Sequence, residues 1–200
     1  MKLVSFKYND SEENIISWGI LENEYILDLG EYYFALDIHC DIFDFLYLNN
    51  TNLDRAKQDL DSSPKVSINK VSLLSPILEP TSLRDAYAFR QHVEAGRKSR
   101  GLNMIPEYDQ FPVFYYGNHN AIGGPGEVLI QKDQSIKLDY ELEIAAIVGK
   151  KGKNIPVNEA DDYIMGYTIM NDLSARALQK EEMKLSLGPA KGKDFLTTLG

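Results

Sequence analysis

The sequence predicts a β-rich α+β chain in two parts: a small β-rich domain over residues 1–72 and a larger β-rich α+β domain over residues 73–200. Three observations predict this. Short alternating apolar runs recur in both halves, fewer segments have helical spacing, and Pro76 and Pro80 punctuate "LLSPILEPTSLRD" between them.

The elements follow in order. "KLVSFKY", "NIISWGIL" and "EYILDL" read as strands, with "ENE" as the turn between the last two. "DIFDFLYL" and "NLDRAKQDLDSS" have helical spacing, and "KVSINKVSLL" is β-branched and alternating. After the prolines, "DAYAFRQHVEAGRKSRG" reads as a helix with Asp85 as N-cap, basic residues near its end and Gly101 just beyond. "VFYYG", "EVLIQ" and "IKLDYELEIAAIVG" read as strands, and "GNHNAIGGPGE" as a glycine-rich loop. "VNEADDYIM" reads as a short helix, "GYTIMND" as a strand ending on Asp172, and "SARALQKEEM" as a helix. "LSLGPAKGKDFLTTLG" reads mostly as loop.

Composition bounds the function. Two hundred residues, 44% hydrophobic and 26% charged, are ordinary for a globular chain with a real core. A net charge of −9 argues against a nucleic-acid partner, because a phosphate backbone needs a basic surface. The sequence has no apolar run long enough for a bilayer and no signal-peptide core at the N-terminus. The single cysteine, Cys40, has no internal disulfide partner and reads as a small core residue; a cytoplasmic setting is expected.

The stretch "LDYELEIAAIV" carries the first chemical signal. Asp139, Glu141 and Glu143 alternate with Leu138, Tyr140, Leu142 and Ile144, so one strand face bears carboxylates only. A wet face of an antiparallel strand looks like this. A metal site does too: residues i and i+2 lie roughly 6.6 Å apart on one face, close enough for two flexible glutamates to converge on a hard cation. Asp172 follows the apolar "YTIM" and serves equally as a helix cap for "SARALQ". Asp85 and His92 are seven residues apart, about two turns, which puts both on one side of the expected helix. His39 and His119 have no sequence context favouring a role and read as structural. "GPAKGKD" has the wrong glycine spacing for a phosphate loop, and "GGPG" opens no helix.

Taken together, "RDAYAFRQHVE", "FPVFYYGN", "LDYELEIAAIVGK", "MNDLSARALQ" and "LGPAKGKDFLTTLG" resemble the signature blocks of the fumarylacetoacetate hydrolase family, in the same order. The resemblance extends weakly to the N-terminal strands. It implies a mixed β-roll of the fumarylacetoacetase C-terminal-domain type behind a small N-terminal β-domain. It also implies a divalent cation held by carboxylates, and hydrolysis of a carbon–carbon bond in a diketo acid. The same metal serves decarboxylases, hydratases and tautomerases of 2-oxo acids; a non-catalytic ligand-binding β protein is the alternative of another class.

Residue by residue, the resemblance implies Asp85, Glu141, Glu143 and Asp172 as metal ligands, and all-oxygen ligands select Mg²⁺ first, with Ca²⁺ or Mn²⁺ as alternatives. It implies His92 as the base that activates water, and Lys193, Arg176 and Gln179 as oxyanion stabilisers. Tyr87, Tyr115, Arg176, Gln179 and Lys193 fall on substrate positions, and Lys193 and Thr197 together suggest a secondary cation site. A small-molecule diketo or 2-oxo acid partner and a homodimer are implied as well. The sequence departs from the family pattern at Ala177, where Asp is usual, and at Met183, where animal fumarylacetoacetases place a Tyr. Ala95 stands three residues after His92, where the acylpyruvase-like branch has Glu. An acid orienting His92 is therefore expected beyond Gly200, together with the last strands of the roll.

Overall fold

The computed structural model describes residues 1–11 and 13–200, with Asn49, Thr51 and Leu53 described through their backbone only. A five-stranded antiparallel sheet is built from β1 (Leu3–Tyr8), β2 (Ile16–Glu22), β3 (Tyr25–Asp28), β4 (Lys65–Ser67) and β5 (Val71–Leu73), in the order β4-β3-β2-β1-β5. Three helices lie between its strands in sequence: α1 (Leu29–Ala35), α2 (Ile42–Thr51) and α3 (Leu53–Ser62).

Alternation along the strands gives this sheet two apolar faces. Ile20 and Leu27 pack with Leu29, Tyr33, Phe45 and Ala56 of the helices, and Trp18 stacks on Tyr33 at 6.2 Å. Phe6, Ile26 and Val71 form the second cluster. Burying apolar surface on both faces supplies the main stabilisation of this half. The helix α1 went unseen in the sequence because it starts directly on the last strand residue. Asp28 is fully buried; it accepts from the Ser17 hydroxyl at 2.5 Å and from the Tyr8 hydroxyl, and it caps the helix through Glu31 N at 2.9 Å. The expected strand "KVSINKVSLL" is split by a 3₁₀ turn over Ile68–Lys70 into β4 and β5, which pair on opposite edges of the sheet.

The second half starts with a hairpin of β6 (Leu83–Ala86) and β7 (Phe114–Gly117), with α4 (Arg90–Lys98) and a 3₁₀ turn (Pro106–Asp109) between them. This corrects the reading of Asp85 as a helix cap. Asp85 lies in a strand, opposite Tyr115, and the helix begins five residues later from Phe89, whose side chain makes no cap. Ladder pairing of four consecutive residues with "FYYG" outweighs the helical spacing of "DAYAF". Asp85 and His92 therefore share no helix face.

A four-stranded mixed sheet comprises β8 (Ile122–Gly123), β10 (Leu142–Val148), β11 (Ile164–Asp172) and β13 (Thr197–Leu199), ordered β10-β11-β13-β8 with β13 parallel to β8. A two-stranded pair joins β9 (Leu138–Asp139) to β12 (Ser174–Ala175). Two helices, α5 (Arg176–Met183) and α6 (Ala190–Lys193), link β12 to β13, and "VNEADDY" forms a 3₁₀ helix before β11.

Two further expectations change here. "EVLIQ" joins no sheet, and Leu129 is 96% exposed; an alternating run without a pairing edge does not form a strand. The long strand over 136–149 is broken at Tyr140 and Glu141, so its first part pairs with β12 and its second with β11. Among the described residues no helix is long and apolar enough to cross a membrane.

Candidate active site

The break at Tyr140–Glu141 decides which face of "LDYELEIAAIV" meets the protein. Leu142 and Ile144 are 75% and 69% exposed, while Glu141 and Glu143 are half-buried against the rest of the domain. The carboxylate face is thus the inner one and the apolar face the outer one, the reverse of an ordinary wet strand.

Three carboxylates meet there. Asp85 of β6, Glu143 of β10 and Asp172 at the end of β11 each bring a ligand oxygen within 4.8 Å of the others. Tyr115, opposite Asp85 on β7, places its hydroxyl 2.8 Å from Asp85 Oδ2 and 2.8 Å from Asp172 Oδ2. One hydroxyl proton faces two acids, so the contact is a shared one. Burial, with the charges of Asp172 and Asp85, drives the Tyr115 pKa far upward and keeps the phenol neutral.

Two cations flank the acids. The Lys193 ammonium is buried and hydrogen-bonds both Glu141 Oε2 and Asp172 Oδ2. Arg176 donates from Nη2 to Glu141 Oε1 at 2.5 Å, from Nε to Asp139 Oδ2 at 2.9 Å and from Nη1 to Gln179 Oε1 at 3.1 Å. Glu141 therefore spends both oxygens on cations and stands outside the three-carboxylate group.

The electrostatics follow. Burial raises Glu141, but hydrogen bonds from Lys193 and Arg176 outweigh it and hold its pKa below the usual range. Burial, with the carboxylates of Asp85, Asp172 and Glu141, pushes Glu143 up to about 7. Burial also pushes Asp172 up to about 6, against the pull of Lys193 and Tyr115. Lys193 is lowered by burial but raised more by Asp172 and Glu141, so it stays an ammonium.

A divalent cation fits this donor set. Oxygen ligands at 2.0–2.6 Å from one ion span at most roughly 4–5 Å, which matches the observed grouping. Asp85, Asp139, Glu141, Glu143 and Asp172 carry five formal negative charges against two positive ones on Arg176 and Lys193; the excess of three falls to one with a dication.

The remaining sequence-derived residues are placed as follows. Gln179 accepts from Arg176 Nη1 through Oε1. Thr197 is buried, pairs with Asp172 across β11 and β13, and lines with Lys193, Asp85, Tyr115 and Asp172 a void of about 10 Å³. Tyr87 is 57% exposed, just beyond Asp85. His92 lies in the first turn of α4, exposed, and is not among the groups that touch the carboxylates.

Sequence reasoning missed three contributors. Asp139 orients Arg176, and its place in the carboxylate ladder was the available signal. Glu182 accepts from Lys191 N at 2.9 Å and Gly192 N at 2.8 Å, tying α5 to α6. Gly192 lets the two helices touch: a Cβ there would lie 2.8 Å from Gln179 Cα. These contacts fix where Lys193 enters the site.

The fold and site define a β-rich α+β protein with a carboxylate cluster at the inner face of a mixed sheet. The fumarylacetoacetate (FAA) hydrolase C-terminal family model matches residues 81–200, and the chain belongs to the fumarylacetoacetate hydrolase family. Oxaloacetate tautomerase fahd2, mitochondrial, from Xenopus laevis is 30% identical over 183 residues, covering 91% of this chain and 54% of that protein. The chain thus spans about half the length of this curated relative. Two solved structures share the fold. The 2-hydroxyhepta-2,4-diene-1,7-dioate isomerase of Mycobacterium marinum has a TM-score of 0.61 at 21% identity, covering 100% of this chain and 64% of that one. The maleylpyruvate hydrolase of Sphingobium, in complex with manganese(II) and pyruvate, has a TM-score of 0.63 at 18% identity, covering 100% and 65%. The expected fold class, a β-rich α+β chain with a mixed, curled sheet of this family, is the one observed.

Proposed function

We propose that residues 73–200 carry the catalytic centre of a divalent-cation-dependent enzyme that acts on an acylpyruvate-like 2-oxo acid, behind an N-terminal module of residues 1–72. The observation that carries this reading is the convergence of Asp85, Glu143 and Asp172 beside the buried Lys193 ammonium. Those three carboxylates would hold Mg²⁺ or Mn²⁺, which supplies Lewis-acid polarisation of the 2-oxo carbonyl. Arg176 and Lys193 attract the substrate carboxylate and stabilise negative charge that develops on oxygen. Tyr115, kept neutral, holds Asp85 and Asp172 in place through its hydroxyl. Gln179 and Asp139 fix the plane of the Arg176 guanidinium.

These groups would serve first for enolisation, as in a tautomerase or isomerase: the proton next to the 2-oxo carbonyl passes to a solvent water and is returned from one, while Arg176 and Lys193 stabilise the charge left on the enolate oxygen. His92 is exposed and not hydrogen-bonded to the carboxylates, which favours this reaction because it needs no water activated for attack. The second reading is hydrolysis of the carbon–carbon bond in a diketo acid, with His92 as the base for water. Its support is the family match, together with the position of His92 only seven residues after Asp85. A homodimer is proposed alongside: Leu142, Ile144, Val148, Tyr167 and Ile169 form a contiguous apolar face on β10 and β11, each at least 59% exposed, and such faces mark interaction surfaces.

The test is product analysis with Mn²⁺-loaded protein on oxaloacetate and acetylpyruvate. Keto–enol exchange without cleavage supports the tautomerase reading, and cleavage to two acids supports the hydrolase. No turnover of either, together with no Mn²⁺ binding, would remove the enzyme reading.

A further inference from the structure

One cavity lies outside the carboxylate cluster, one same-face rung further along the hairpin that carries Asp85. On the β6–β7 hairpin, Asp85 and Tyr115 form one rung. The next rung on the same face is Tyr87 with Val113, joined by Tyr87 N to Val113 O at 3.4 Å. Successive same-face rungs are about 7 Å apart. Tyr87 and Val113 open into a cavity of about 350 Å³, lined further by Tyr108, Asp109, Gln110, Phe111 and Pro112. The Tyr108 hydroxyl donates to Tyr87 O at 2.9 Å, which holds the floor of the cavity to the hairpin.

The lining is mainly aromatic and apolar, its polar side chains are Asp109 and Gln110, and it contains no basic residue. The nearby Arg90 is already engaged, with Asp109 at 3.2 Å and Glu94 at 3.3 Å. A second carboxylate at the far end of a substrate would therefore meet Asp109 without a free cation to receive it. Resting on the reading of the carboxylate cluster as a cation site for a 2-oxo acid, we infer that this cavity receives the far end of the substrate, and that this end is an apolar or aryl group rather than a carboxylate. The substrate class becomes a 2-oxo acid with an aromatic or alkyl tail beyond the polarised carbonyl, lying along one face of the hairpin. A cavity of this volume admits a phenyl group with room for its linker.

The experiment uses the full chain with saturating Mn²⁺. Calorimetric titration compares oxalate, 2-oxobutanoate and 4-phenyl-2-oxobutanoate, in the wild type and in Phe111→Ala. Phe111 is 58% exposed in a loop, so its truncation leaves the core intact. The phenyl compound is expected to bind the wild type about tenfold or more tighter than 2-oxobutanoate, the advantage of burying one ring. In Phe111→Ala that ratio falls severalfold while oxalate affinity is kept; a merely structural role would weaken all three ligands together. A ratio near one in the wild type, with oxalate binding normally, overturns the inference and leaves the cation site standing. Failure of oxalate itself to bind overturns the cation reading and this extension with it.

Discussion

The Lys193 ammonium sits against the Asp172 carboxylate, 21 residues earlier in the chain, and both side chains are almost wholly buried, at 6% and 4% exposure. A pair this deep is held by its surroundings: Glu141 takes a second contact from the same ammonium, and Tyr115 a contact to the same Asp172 oxygen.

Removing that ammonium is expected to unbalance the site. In the metal-free chain, Lys193→Met should lower stability by about 3 kcal/mol at pH 7.5, the usual cost of stranding a buried charge. The loss should shrink at pH 5, where Asp172 takes up a proton. Urea unfolding at both pH values checks this; an equal loss at both would show that the charge is not the cause.

Glu143→Gln is expected to weaken Mn²⁺ binding strongly, by at least the roughly 10–100-fold typical of losing even an outer-shell partner. Glu141→Gln should weaken it less, because Glu141 faces Arg176 and Lys193 instead. Calorimetry on both variants decides the order, and equal losses would return Glu141 to the ligand set.

Metal affinity should rise with pH. Glu143, near 7, and Asp172, near 6, must shed protons before they bind a cation, so affinity should climb between pH 5 and 8. Stability of the metal-free fold should run the other way. Both acids have folded pKa values above their unfolded ones, so the native state binds more protons between about pH 4 and 7. Their contribution therefore falls as pH rises through that window. Comparing thermal melts of wild type and Glu143→Gln across pH isolates the effect; a flat difference would refute it.

His92 separates the two reactions. If the chain hydrolyses a diketo acid, His92→Ala should cut turnover by roughly 10²–10⁴, the range for a positioned general base. If it catalyses keto–enol exchange, the same variant should keep its rate. Product-resolved kinetics with Mn²⁺ reads both at once.

The bare apolar face bears on assembly. Ile144→Glu together with Ile169→Glu, neighbours across β10 and β11, should turn a dimer into a monomer with unchanged circular dichroism. Sedimentation velocity is the measurement, and a monomeric wild type would end the dimer proposal.

Much of this protein was legible in its sequence. Period-two runs marked β1, β2, β3, β7 and β11, because a half-buried strand needs alternation whatever surrounds it. The residues gathered at the site, Asp85, Glu143 and Asp172 with Lys193 and Arg176, were named from their motifs. What tertiary structure decided was direction and partnership. The run from Leu138 to Val148 reads identically with either face inward, and only pairing of its two parts to β12 and β11 turned the carboxylates in and the apolar side chains out. Asp85 has helical neighbours in sequence, and a strand 30 residues away claimed it. His92 kept its helix but not the expected company, since a side chain two turns from Asp85 on a helix is elsewhere once Asp85 is in a strand. Local spacing records which residues share a face of one element; which elements meet is set by hydrogen-bond ladders and burial between segments far apart in the chain.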